Sequence, residues 1–394
     1  MDALLRRRAA SVASGLVHRS FSVGGWLFFG LRKLSECSYQ KTTTPVVFDA
    51  FPSFAGGEFR YMAQHTSISD RILNSANYKN GAFRNLSPTK IKPADISYFS
   101  MLWKGFNRPK NTKPDHTLPA VKTDLTNISA YSPVVVWFGH SSYLIHCKGK
   151  NILVDPAFSG YASPFSFMVK AFDGSNTYSP EDMPVIDILL ITHDHYDHLD
   201  INTIKNLAPK IKTVITSLGV RAILEKLLPG VPMTELDWWE STSVDGIHFT
   251  ACPARHFSGR LVKRNQTLWS SFAIQIAGYS IFAGGDSGYD FFFKDIGDRM
   301  GPFDIAILEC GQYNTMWPMI HMMPEETAQA AKDLHAKWLL PVHWAKFALG
   351  FHPWNEPVKR LKLAAELIAL NVTTPRIGEK IVINEIYPQG SWWI

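Results

Sequence analysis

The sequence predicts a layered α/β fold on three observations. Residues 185–200 read VIDILLITHDHYDHLD, an apolar, β-branched run too continuous for a half-exposed strand, which stops abruptly at a cluster of His and Asp. Strand and helix patterns then alternate, as they do in β–α–β units. Three later strands each end in one more ligand-capable side chain: His256, Asp286 and His343. Imidazole plus carboxylate is the set that zinc prefers, and His193 and His195 can grip one ion while Asp197 and His198 turn toward a second. That motif supplies only two ligands to each ion, so the metal reading demands more, each at the end of its own strand. His256, Asp286 and His343 meet the demand.

Taken in order, residues 1–40 are rich in Arg and Ser and hold a short apolar stretch at 21–31 (FSVGGWLFFGL), too short to span a bilayer. A cleaved targeting peptide, a basic membrane-surface segment and an extension without a role all fit it. Residues 41–130 carry Pro, Asn and Thr throughout, with scattered aromatics (Phe51, Phe54, Tyr98, Phe99, Trp103), and read as an arm packed over the body. The body, 131–394, opens with strands at 134–138 and 143–146, a tight turn at 148–151 (KGKN) and a return strand at 152–154 that ends in Asp155-Pro156. His140, alone in FGHSS, and Asp155, at a strand end, are expected to hydrogen-bond metal-binding side chains rather than bind metal themselves.

Asp200 is placed to cap a helix over 201–207, a strand follows at 212–216, and 220–228 has helical spacing. The strands at 247–251, 279–283 and 338–342 lead into PARH, GGDSG and His343, and Gly284 and Gly285 are read as allowing close approach to a ligand or metal. The strand 305–309 leads into CGQYN (310–314), a loop placed to approach the site. His321 precedes a helix over 325–334 and suits a general acid or a substrate-positioning group. Asp194 and Tyr196 need no catalytic role.

With 394 residues, 46% of them hydrophobic, the chain can bury one large core or two modest ones. Its net charge of +6 is local: residues 1–35 hold six basic groups against Asp2, leaving 34 basic and 33 acidic groups over 36–394. A body without a basic face argues against a nucleic-acid partner. Cys37, Cys147, Cys252 and Cys310, far apart and without CxxC, read as free thiols. The aromatics at 164–168 (PFSFM) and 291–293 (FFF) read as exposed loops that could meet a lipid surface, with a core or a homodimer interface as the alternative.

The series His193, His195, Asp197, His198, His256, Asp286, His343 resembles the metallo-β-lactamase superfamily over about residues 131–385. FGHSS (138–142), Asp155-Pro156, PARH (253–256), GDSG (285–288), PVHW (341–344) and, in the arm, FRN (83–85) resemble the branch containing N-acyl-phosphatidylethanolamine-hydrolysing phospholipase D. The resemblance implies an αββα sandwich preceded by an N-terminal arm. It also implies two zinc ions, one on His193, His195 and His256 and the other on Asp197, His198 and His343, with Asp286 bridging and His321 as the active-site loop histidine. The implied activity is hydrolysis of a glycerophospholipid phosphodiester by water activated between the ions, releasing phosphatidic acid and an N-acylethanolamine, in a peripherally membrane-associated enzyme. A lactone- or ester-cleaving hydrolase of the same fold, and a membrane-bound scaffold without turnover, are its rivals.

Overall fold

The computed structural model describes residues 68–91, 103, 107–260 and 263–394. The basic segment 1–40 and the aromatics Phe51, Phe54, Tyr98 and Phe99 lie outside the described residues. Before the body come a short helix, α1 (Ile68–Asn74), and a hairpin of β1 (Tyr78–Lys79) and β2 (Ala82–Phe83). The hairpin turns through Asn80-Gly81, both at positive φ (54° and 75°), as a two-residue turn of this hand requires. An irregular arm was expected here, and the Asn-Gly pair is the signal it overlooked. Phe83 is fully buried against Leu218, Trp238, Leu268 and Trp269, which pins this stretch to the body.

The first half of the body runs β3 (Val134–Trp137), β4 (Tyr143–Cys147), β5 (Lys150–Val154), β6 (Ile186–Ile191), α2 (Ile201–Leu207), β7 (Ile211–Ser217), α3 (Arg221–Leu224), β8 (Met233–Leu236). The second runs β9 (Ser241–Val244), β10 (Ile247–Cys252), β11 (Ser271–Ile276), β12 (Tyr279–Ala283), α4 (Phe292–Met300), β13 (Ile305–Glu309), α5 (Pro324–Asp333), β14 (Trp338–Val342), α6 (Glu356–Leu367) and β15 (Asn371–Val372). A last strand, β16 (Lys380–Val382), returns to the edge of the first half beside β3. The strands form two seven-stranded sheets, β16-β3-β4-β5-β6-β7-β8 and β15-β14-β13-β12-β11-β10-β9.

Each sheet is antiparallel on one side and parallel on the other. By this pairing β3, β5 and β6 run one way in the first sheet, and β10, β12, β13 and β14 run one way in the second. Their C-terminal ends therefore share an edge in each sheet, which is where open α/β sheets place ligands. The main core lies between the sheets and joins Ile188 and Leu190 to Phe249, Phe272, Ile281 and Leu339. Leu189 and Ile191 face the opposite side and pack with Ile204, Leu207 and Leu224 of α2 and α3. Helices α4, α5 and α6 cover the second sheet, so the layers are αββα. β6 is buried on both faces, as its unbroken apolar run predicts.

Two expectations fail for physical reasons. The helix over 220–228 reduces to α3, because Gly219 enters at φ 92° and Pro229-Gly230 follows, leaving one regular turn. Of 291–293, only Phe291 is exposed; Phe292 and Phe293 start α4 and are buried with Ile296 on its inner face. By contrast, Phe165, Phe167 and Met168 are exposed, with the two phenyl rings stacked 5.7 Å apart. Cys147, Cys252 and Cys310 are buried free thiols.

Lys346 is fully buried. Its Nζ reaches the Phe138 carbonyl at 3.2 Å and lies over the rings of Phe158 and Phe347, with no ion pair among the described residues. Burial pushes its pKa down from 10.5 to about 7. Between those values the unfolded chain binds the extra proton, so the cost of burying this lysine is complete below pH 7 and falls as pH rises toward 10.5. Lys346→Met should therefore melt higher than the native chain at pH 6, with an advantage that shrinks by pH 10. Melting curves across that range, compared at equal metal content, check it; an advantage independent of pH would show that folding leaves the lysine's proton affinity unshifted.

Candidate metal centre

Strand β6 ends at Ile191, and Thr192 anchors the loop that follows. Its N–H and Oγ1–H donate to the two oxygens of Asp155, at 2.9 and 2.6 Å. Asp155 also accepts from His198 Nδ1 at 2.8 Å, so one carboxylate at the end of β5 sets both the start of the loop and the orientation of one of its imidazoles. His140, after β3, donates from Nε2 to Asp197 Oδ2 at 2.9 Å. Its backbone accepts from His343 N and donates to Trp344 O, tying the loop after β3 to that after β14. His140, Asp155 and His343 all have positive φ (53°, 40° and 66°), a conformation non-glycine residues hold where their surroundings over-determine it, often at functional sites.

The remaining side chains arrive as the strand ends require. His256 is held twice by the arm, since Asn85 Nδ2 donates to its carbonyl (2.8 Å) and Asn85 Oδ1 accepts its N–H (3.0 Å). Its Nδ1–H donates to Ile320 O at 2.8 Å, which turns Nε2 inward. His193 Nδ1 lies 3.0 Å from Thr192 Oγ1, whose own proton goes to Asp155, so Nδ1 carries the hydrogen and Nε2 presents its lone pair. Asp286 follows Gly284-Gly285, whose function differs from expectation. A Cβ at Gly284 would meet Ile307 O at 2.8 Å, and one at Gly285 would meet Ser270 O and Thr192 at 3.1 Å. The glycines make room for neighbouring backbone, not for a ligand.

These residues converge into two groups: His193, His195, His256 and Asp286, and His140, Asp197, His198 and His343, each with ligand atoms within 4.8 Å of one another. Asp286 stands between them. Its Oδ2 lies 3.1 Å from His198 Nε2, 3.7 Å from His256 Nε2 and 3.8 Å from His193 Nε2, and its Oδ1 lies 3.2 Å from His343 Nδ1. His140 stands in the second group by position, but its Nε2 is spent on Asp197.

The donor set fits metal ions. His195 Nδ1 lies 3.0 Å from His193 Nε2 and 3.2 Å from His256 Nε2, so three imidazole nitrogens crowd together with too few protons to satisfy them. His198 Nε2, His343 Nε2 and Asp286 Oδ1 are buried without a hydrogen-bond partner among the described residues. Buried polar atoms are rarely left so. Burial holds His193, His256 and His343 well below the ordinary imidazole range and brings His195 to about 3, so these rings are neutral and ligand-competent at pH 7. His198 goes the other way: burial lowers it, but Asp286, Asp197 and Asp155 outweigh that and hold it well above. The carboxylates demand positive charge at the point where the other imidazoles offer lone pairs.

Sequence reasoning missed Glu309, the last residue of β13. It is fully buried and accepts from His321 Nδ1 with both oxygens (3.0 and 2.9 Å) and from Ser287 N. Burial raises its carboxyl to about 7; His321, lowered by burial but raised more by Glu309, reaches about 9. An acid closing an otherwise apolar strand (IAILE) was the available signal. In the loop after it, Gln312 lines the site but spends its amide on backbone, donating to His343 O and Phe347 O and accepting from Leu349 N and Gly350 N. Asp194 is buried and accepts from Gly259 N.

A cavity of about 280 Å³ opens from the cluster, lined by the polar side chains of His195, Asp197, His256, Asp286, His321 and His343 and by the apolar Ile91, Phe257, Trp317, Ile320 and Leu349. The model of the β-lactamase superfamily domain matches residues 150–344. The chain belongs to the metallo-β-lactamase superfamily, which includes metal-dependent hydrolases. Within it, the chain is 32% identical over 279 residues to N-acyl-phosphatidylethanolamine-hydrolysing phospholipase D 1 of Caenorhabditis elegans, covering 65% of this chain and 77% of that one. It is 38% identical over 344 residues to an uncharacterised protein of Mycobacterium tuberculosis, covering 84% and 91%. The fold is that of an isothiocyanate hydrolase from Delia radicum gut bacteria, at a TM-score of 0.51 and 18% identity over 63% of this chain and 98% of the other.

The Asn85 clamp yields a prediction. Asn85→Ala strands the buried N–H and C=O of His256, which costs about 1–3 kcal/mol of stability for such groups. The variant should melt lower than the native chain and bind divalent metal more weakly. Asn85→Asp, which keeps the acceptor but not the donor, should fall between. Calorimetry of both variants checks this; wild-type metal affinity in Asn85→Ala would mean that the arm merely packs here.

Proposed function

We propose that the chain is a zinc-dependent phosphodiesterase of phospholipase D type. It cleaves a glycerophospholipid with an N-acylated ethanolamine head, releasing phosphatidic acid and an N-acylethanolamine. The observation that carries this reading is the make-up of the site, a cluster suited to two dications in a cavity whose remaining lining is largely apolar. A lipid with a charged phosphoryl group and long chains matches both at once. The phospholipase D relative supports the same substrate class.

His193, His195 and His256 would hold one ion, Asp197, His198 and His343 the other, and Asp286 both. Two such ions supply a water made nucleophilic near neutral pH and positive charge against the growing charge on the phosphoryl oxygens. The protein's own residues do the rest. Asp155 and His140 fix His198 and Asp197, and neutral imidazoles hold the site without excess charge. Attack of water at phosphorus breaks the bond to the head-group oxygen, which must gain a proton as it leaves. His321 has Nδ1 committed to Glu309 and lines the cavity, so its Nε2 is the atom placed to give that proton. Among the described residues no helix is long and apolar enough to cross a membrane. The exposed Phe165, Phe167 and Met168 support access from the membrane surface instead.

Purified, zinc-loaded protein incubated with N-acyl-phosphatidylethanolamine, unmodified phospholipids, lactones and nucleotide phosphodiesters tests the proposal. Release of phosphatidic acid is expected, and turnover of lactones or nucleotides without lipid would contradict it. His321→Ala should keep its zinc while kcat falls about 10²–10⁴-fold, the usual size of a general-acid contribution. Glu309→Gln, which leaves the ring in place but weakens its hold, should lose less. Loss of zinc from His321→Ala would move that residue among the ligands.

A further inference from the structure

Three arginines follow β10, and two are employed by the fold. Arg255 donates to Thr89 Oγ1, Pro88 O and Tyr289 O. Arg260 donates to Asp194 O and Leu199 O, with its guanidinium 3.9 Å from the centre of the Tyr196 ring. Arg264 differs. Its side chain forms no hydrogen bond and no ion pair among the described residues, it is exposed, and it lines the cavity that holds His195, Asp197 and His343. Apart from the histidines and carboxylates of the site, the rest of the lining is apolar or, at Gln312, fully bonded. Arg264 is the one arginine or lysine in the lining, and its donors are free among the described residues.

It nonetheless rests on one ring. The guanidinium lies 5.3 Å from the centre of the Phe257 ring, a cation–π distance. Phe257 itself packs edge-on to His195 at 4.5 Å and lies 4.9 Å from His256. A rigid stack thus runs from two histidines of the cluster to an unspent planar fork at the edge of the cavity. Such a fork matches two oxygens of one phosphoryl group, and a lysine could not reproduce that geometry.

We infer that Arg264 is a specificity-determining residue that binds the anionic phosphoryl group of the substrate and selects charged phosphodiesters over neutral esters. This rests on the phosphodiester reading above and names the group that recognises its charge.

Full-length, zinc-loaded Arg264→Ala, Arg264→Gln and Arg264→Lys test the inference in two arms. In the first, KM for bis(p-nitrophenyl) phosphate should rise about tenfold in the Ala and Gln variants with kcat within about twofold. Kinetics on the neutral p-nitrophenyl acetate should stay unchanged, and Lys should restore part of the loss. In the second, calorimetric titration with inorganic phosphate should show binding weakened about tenfold in Arg264→Ala, with less dependence on salt than in the native chain. Unchanged KM and unchanged phosphate affinity would overturn the assignment while leaving the phosphodiesterase reading in place. If the native chain hydrolyses only the neutral ester, that reading falls. The phosphate titration then decides Arg264 alone: weakened binding supports it as an anion site, and unchanged binding overturns it.

Discussion

The structure depends on one constraint: carboxylates and imidazoles, most of the latter held neutral by burial, are buried at the meeting edge of two sheets, and the carboxylates call for more positive charge than His198 alone supplies. Asp286 is the centre of this. Its carboxylate lies within 4 Å of nitrogens from His193, His198, His256 and His343, and one of its oxygens has no hydrogen-bond partner among the described residues. A buried carboxylate held against lone pairs is unfavourable unless cations stand between them. The donor pattern therefore points to metal as a structural requirement of the site as well as a chemical one.

Much of the remaining fold holds that arrangement still. The strands that carry the site run one way within each sheet, so the chain supplies side chains to one edge from seven strand ends. Behind them stand single-purpose contacts. Asp155 orients His198, His140 orients Asp197, Ile320 O orients His256, and Asn85 fixes the backbone of His256 from the arm. Each decides which nitrogen of a ring carries its proton, or where its backbone sits, and so which lone pair faces the centre. The positive φ at His140, Asp155 and His343 is the local strain that this convergence requires, offset by the packed core around it.

The parts of this visible in the sequence are those where one strong local signal decides the structure. The unbroken apolar run of β6, the Asp200 cap of α2 and the strands ending before Asp286 and His343 were read to within a residue or so. Of the strands not read, β8 and β9 are outer edges of the two sheets, and their sequences, MTEL and STSV, lack the apolar density of central strands, whereas the central β11 (SFAIQI) carried an apolar pattern that went unread. Helix α6 carries its inner face at Val358, Leu361 and Ala365, a helical spacing that was present and unread. Glu309 was hidden differently. Nothing local marks it, and its importance follows only from His321 being brought back over it by the chain between β13 and α5. The glycines before Asp286 show the reverse error, in which residues suited to approach a ligand are used up on neighbouring packing, whereas the loop at Gln312 does reach the site.

The central claim is that Asp286 serves both halves of the cluster, and metal stoichiometry tests it most directly. Asp286→Asn keeps the side chain's shape but removes its charge, whereas His343→Ala removes a donor from the Asp197 and His198 group alone. With folding confirmed by circular dichroism, this account predicts that Asp286→Asn loses occupancy at both sites and that His343→Ala retains about half of the native chain's metal. Two tightly held ions in Asp286→Asn would contradict it and require another carboxylate, with Asp155 the first to examine, to join the two sites.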